Sequence, residues 1–158
     1  MTNWSRDVQG QSGSVLIEAM VAVVIFSFGL LALISMQSAA VRSTTDAKYR
    51  ADASFLANQI IGQMWGVANA SLNNFANGVA ATAANAATCP SGGAAAAAAE
   101  ATAWLAAVSG MLPGADNDRQ QITVDAATGQ VTVRVCWLDR TAGGYHNHLV
   151  TAQINKNL

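Results

Sequence analysis

The sequence predicts an α+β fold in which a long N-terminal helix, apolar enough in its first half to cross a membrane, packs on a small antiparallel sheet. Three observations predict it. Residues 14–36 form an apolar run whose only charged member is Glu18. Between Tyr49 and Val67 apolar residues recur at helical spacing, and beyond Pro113 the pattern changes to alternation with period two. Composition agrees. A chain of 158 residues that is 52% hydrophobic but only 11% charged fits one small domain plus a hydrophobic segment, since ordinary globular chains carry about 25% charged residues. A net charge of -1 and a pI of about 6.0 leave no basic field to draw the chain onto nucleic acid, so no nucleic-acid partner is expected.

The first element is the stretch GQSGSVLIEAMVAVVIFSFGLLALISMQ, residues 10–37. Its apolar part matches the ~20 residues a helix needs to span a bilayer. A cleaved secretory signal, a plain membrane anchor and an anchor with a second purpose compete for it. A secretory signal has an apolar region of roughly 7 to 15 residues and no acid inside it, so that reading is the weakest. Arg6 and Asp7 cancel before the span, while Arg42, Lys48 and Arg50 follow it, so the Lys and Arg count does not place the N-terminus inside the cell. Glu18 needs an explanation, because a carboxylate in hydrocarbon costs at least ~2.5 kcal/mol. Either it sits at the bilayer edge and is wetted there, or it has a partner.

The helix is expected to continue. Tyr49, Ala53, Leu56, Ile60, Met64 and Val67 mark one apolar face, with no Pro between Thr45 and Val67, while Arg42, Asp46, Lys48, Arg50 and Asp52 occupy the other sides. This predicts a helix of about 50 residues, weakened near Gly62 and Gly66. From Asn69 to Ala107 the chain is dominated by Ala, Asn, Ser, Thr and Gly. Within it, residues 94–108 have strong helix propensity, and Ser109-Gly110 reads as the stop of a short helix.

The strands follow. Ile122 and Val124, then Val131, Val133, Val135 and Trp137, then Leu149 and Thr151 alternate with polar residues, and Thr128-Gly129 and Gly143-Gly144 supply the turns. Three antiparallel strands result, with Val131, Val133, Val135 and Trp137 turned inward under the apolar stripe of the long helix.

No catalytic constellation emerges. There is no G-x-S-x-G, no phosphate-binding Gly-Lys loop and no H-E-x-x-H, so neither an enzyme nor a cofactor is expected. His146 and His148 on one strand face would make a poor metal site without nearby acids, and a turn is the expected location for them. Asp116 and Asp118 lack the Gly and Glu that complete a calcium loop.

Gly13-Ser14-Val15-Leu16-Ile17-Glu18, followed by the unbroken apolar helix, resembles the class III signal of type IV prepilins. That signal is a short polar leader ending in Gly, then an apolar stretch with Glu fifth after the cut. Ser14 stands where the family usually has Phe or Met, and Val15 where it usually has Thr. Phe28-Gly29-Leu30-Leu31, Met36-Gln37, Leu112-Pro113-Gly114 and the later VTVRVCWLD resemble the PilV-type minor pilins, and Ser35 replaces the Pro common in major pilins.

The resemblance implies a leader over residues 1–13, a transmembrane and filament-core helix over 14–38, and a periplasmic head over 39–158. The head would hold an amphipathic helix, an Ala-rich connecting region over 69–112 and a three-stranded sheet over 121–154. It implies cleavage by a prepilin peptidase between Gly13 and Ser14, N-methylation of Ser14, and pairing of Glu18 with the α-amine of a pilin, commonly a neighbour's. Before assembly the helix would lie in inner-membrane lipid with the head in the periplasm. The subunit would then pass through the inner-membrane assembly platform into a surface pilus, with other minor pilins and the major pilin as partners. The implied function is that of a minor pilin in type IV pilus assembly, priming it or near the tip, in support of adhesion and twitching motility. A pseudopilin of a type II secretion system is the alternative, and a membrane-anchored periplasmic enzyme a distant third. In the implied compartment Cys89 and Cys136, the two cysteines of the chain, would form a disulfide. Two free buried thiols are the other possibility.

Overall fold

The computed structural model describes residues 12–85, 88–139 and 143–154. The predicted leader lies outside them except for its last two residues. Two compact units make up the chain, Met1–Thr45 and Asp46–Leu158.

Helix α1 (Ser12–Trp65) is 54 residues long, close to the predicted length. Nothing in its sequence interrupts the backbone ladder, since Pro is absent and Gly29 and Gly62 are isolated. In the first unit the side chains of this helix are exposed, large aliphatic and aromatic ones included. Some of its hydroxyls turn back onto the helix: Ser27 donates to the carbonyl of Val23 at 2.7 Å, and Thr45 to that of Val41 at 2.8 Å. Such bonds satisfy a hydroxyl without water, as an apolar surrounding requires. This helix is long and apolar enough to cross a membrane.

In the second unit α1 is amphipathic. Ala53, Leu56, Ala57, Ile60 and Met64 are fully buried, Ile61 nearly so, and Tyr49 and Val67 pack at the margin. Each larger aliphatic side chain so buried contributes roughly 1.5 to 3 kcal/mol. The helix ends at Trp65, where Gly66 N–H turns back to the carbonyl of Gln63.

Helix α2 (Ala99–Met111) buries Ala101, Trp104, Leu105 and Val108 in the same core. It differs from the predicted 94–108 at both ends. Ala94 is taken up by a bridge to Gly78, and the N–H groups of Ala97 and Ala98 donate to the carbonyl of Asn74, so propensity yields to tertiary pairing until Ala99. At the other end Ser109-Gly110 does not stop the helix. Pro113 does, because it forces the preceding Leu112 out of the helical region, to φ -112° and ψ 136°.

The sheet is a meander of β1 (Gln121–Asp125), β2 (Gln130–Asp139) and β3 (Gly144–Gln153), antiparallel throughout, with β2 in the centre. The β1–β2 turn is held by Asp125, whose Oδ1 accepts the N–H of Ala127 and of Thr128, and by Gly129 at φ +75°. Val131, Val133, Val135 and Trp137 face the helices and are buried, as the alternation predicts. This is the pilin-like α+β arrangement expected of the sequence. The opposite face of β2 is solvated at Gln130 but not at its centre. Arg134 and Cys136 are buried as well, beneath the connecting segment that leads from α1 to α2. The outer edge of β1 is partly closed by Asn77, whose N–H and C=O pair with those of Ile122 at 3.0 Å each.

Candidate functional site

The residues of the predicted processing signal fall in the first turns of α1. Gly13 has open space around it, and Ser14 and Glu18 are both exposed. They stand four residues apart on one helix side. An α-amine created at Ser14 would therefore lie one turn from the Glu18 carboxylate, on a surface otherwise made of Val15, Leu16, Ile17 and Met20. What the arrangement offers chemically is one anion at the edge of a hydrocarbon-like surface, open to a cation from its own or another chain.

Cys89 and Cys136 are joined by a disulfide, with their Cα atoms 6.1 Å apart. The bond ties the connecting segment to the centre of the sheet. A set of polar groups surrounds it. Asn77 Nδ2 donates to the carbonyls of Gln120 at 2.7 Å and Asn117 at 3.0 Å, while its Oδ1 accepts from Ala96 N–H. Gln120 clasps Cys136 on both sides, Oε1 accepting its N–H at 2.8 Å and Nε2 donating to its carbonyl at 3.0 Å. Arg134 donates from Nη1 to Asn85 and to Gln121 Oε1. Burial pulls its guanidinium below the usual arginine range, since these acceptors are neutral. Main chain and amides satisfy most of these groups, Arg134 Nε and Gln121 Nε2 excepted, which makes them a structural clasp. Sequence reasoning missed them. Asn77 sits in low-complexity sequence, and Arg134 occupies a position that alternation assigns to solvent.

Asp116 and Asp118 are already engaged. Asp116 Oδ2 lies 3.4 Å from Arg119 Nε and accepts from Tyr145 at 3.5 Å, and Asp118 accepts the N–H of Gly92 at 3.3 Å. Arg119 also donates to the Cys89 carbonyl at 2.6 Å and covers the Tyr145 ring at 4.4 Å.

The histidines are not in a turn. Both His146 and His148 lie within β3, because the hairpin turn closes before Gly144. Acids are nearby after all: His146 Nδ1 is 3.3 Å from Asp46 Oδ1, and Nε2 is 3.4 Å from Asp139 Oδ2. The two carboxylates face opposite ring nitrogens, so no single ion could be shared by all three groups. Among the described residues no cluster of three or more His, Cys, Asp or Glu is arranged to hold a metal.

The chain was compared with protein families, curated proteins and solved structures, and none matches it.

Proposed function

We propose that this protein is a minor pilin of a type IV pilus, made as a prepilin, cut between Gly13 and Ser14 and drawn from the inner membrane into the filament. The observation that carries the reading is the pairing of two features on one helix. A membrane-length apolar segment bears one acid, Glu18, four residues after Ser14, and the same helix continues into a stapled α+β head. A plain anchor has no use for the acid, which costs at least ~2.5 kcal/mol wherever hydrocarbon surrounds it. An anchor that must later be registered against other subunits does. Cleavage creates an amine with a reference pKa near 7.7, cationic enough to offset that cost when it meets the carboxylate. The head then contributes surface, with the major pilin and other minor pilins as neighbours.

The test is N-terminal mass analysis of the protein from cells with and without the prepilin peptidase, together with immunodetection in sheared pili. The expected result is a chain beginning at methylated Ser14 only where the peptidase is present, and its recovery in the pilus fraction. An unprocessed N-terminus in both strains overturns the reading.

A further inference from the structure

Residues 88–92 of the connecting segment lie against the face of β2 turned away from the helices and are fastened there at one buried point. Cys89 is the one buried residue of residues 88–95; Pro90 is half-buried and the others are exposed. The disulfide joins it to Cys136, which is fully buried at the centre of the sheet. Polar contacts add to that bond. Arg119 Nη1 donates to the Cys89 carbonyl at 2.6 Å, and Gly92 N–H donates to Asp118 Oδ2 at 3.3 Å. Parting from Cys89 would not strand the arginine, since its guanidinium keeps the Tyr145 ring at 4.4 Å and the Asp116 carboxylate at 3.4 Å.

Both ends of this stretch are anchored without the cysteines. Upstream, Arg134 Nη1 donates to Asn85 twice, to its carbonyl and to its Oδ1, at 2.9 Å each. Downstream, the Ala94 carbonyl accepts the N–H of Gly78 at 2.7 Å, and Gly93 lies so close to Gly78 that a Cβ on it would collide. Ordering one residue of backbone costs about as much as a hydrogen bond contributes net, and an exposed hydrogen bond is readily replaced by water. The covalent bond is therefore what keeps residues 88–92 on the sheet, and losing it frees them without freeing their ends.

We propose that residues 88–92 are a redox-operated strap: a dithiol that reduces Cys89–Cys136 lifts them from the sheet and bares the Cys136 thiol while the core stays folded. One thiolate of the dithiol attacks the sulfur of Cys89, the less buried of the two residues, and Cys136 leaves as a thiolate that takes up a proton. The second thiolate of the dithiol then displaces Cys89, which is protonated in turn. The dithiol ends as an internal disulfide, and two electrons have passed to the protein. Val133, Val135 and Trp137 take no part, because they lie on the helix side of β2. This inference does not depend on the filament reading.

The experiment uses the full chain in detergent micelles. It is treated with dithiothreitol in native buffer, Cys136 is alkylated with iodoacetamide, and amide exchange of residues 130–134 is followed alongside. The bond is expected to yield without denaturant. Cys136 should then alkylate within about tenfold of its rate in the urea-unfolded chain, while residues 130–134 keep their protection. Cys89→Ser, which frees the strap without a reductant, should label Cys136 at the same rate; should it not fold, the reduced wild type decides. A bond that yields only in urea, a Cys136 that stays inert in the reduced protein or in folded Cys89→Ser, or protection lost at residues 130–134 together with labelling overturns the proposal.

Discussion

Trp104 of α2 donates its indole N–H to the main-chain carbonyl of Leu56 in α1, 2.8 Å away and out of reach of solvent. The bond fixes where α2 sits along α1, because a single carbonyl is chosen among the turns the indole could meet. Trp104→Phe keeps an aromatic ring in place and should cost about 1 kcal/mol, the net worth of one hydrogen bond. Trp104→Ala leaves a cavity and should cost about 3 to 5 kcal/mol. Denaturant unfolding in micelles separates the two, and equal losses would show that the bond contributes nothing beyond volume.

Gly93 and Gly92 predict a second contrast. Both have positive φ, +94° and +92°, but a Cβ on Gly93 would run into the backbone of Gly78, whereas Gly92 has open space. Gly92→Ala should cost only the strain of its backbone, of order 1 kcal/mol. Gly93→Ala must also break the Gly78–Ala94 bridge, so a loss clearly above that of Gly92→Ala is expected. Comparison of their unfolding midpoints decides.

The disulfide sets a third. Cys89 and Cys136 are 47 residues apart in sequence, and joining them constrains the unfolded chain by roughly 4 kcal/mol on the entropic account. Replacing both by Ala, or reducing the bond, should lower stability by an amount of that order while leaving α1 helical. Circular dichroism with and without reductant tests this, and an unchanged unfolding midpoint argues against it.

On the proposed reading of the protein as a minor pilin, Glu18→Ala tests the assembly step by itself. Removing the acid makes the segment more apolar, so membrane insertion and cleavage at Ser14 should persist. Incorporation should drop by orders of magnitude if a desolvated pair loses one partner, a loss of about 3 to 5 kcal/mol. The readout is the ratio of subunit in sheared pili to subunit left in the membrane. Normal incorporation of the processed variant would mean that Glu18 is merely wetted at the bilayer edge.

Periodic elements were legible and clasps were not. The face of α1 from Tyr49 to Val67 and the inward residues of β2 follow directly from spacings of three to four and of two, because burial on one side imposes them. The ends of α2 escaped, since both are decided by partners distant in sequence or by conformation: Gly78 at one end, the residue before Pro113 at the other. The second face of β2 escaped for a related reason. Alternation distinguishes apolar from polar, and Arg134 is buried polar, covered by Asn85 from a stretch whose own composition carries no period. His146 was misplaced because Gly143-Gly144 marks a turn without saying on which side of it the strand resumes.

A central strand that is buried on both faces from Val133 to Trp137 also governs how the head breathes. The amide protons of Gln130–Arg134 sit between β1 and β3, and beyond them Cys136 N–H is taken by Gln120 Oε1 and Leu138 N–H by the Pro113 carbonyl. They can reach solvent only when most of the head opens at once, so their exchange reports global unfolding. Amides in the stretches between the anchor points of the connecting segment need no such event. A protease given the folded protein will therefore nick that segment first, and where the cut falls after Cys89 the disulfide will hold the two fragments together until a reductant parts them.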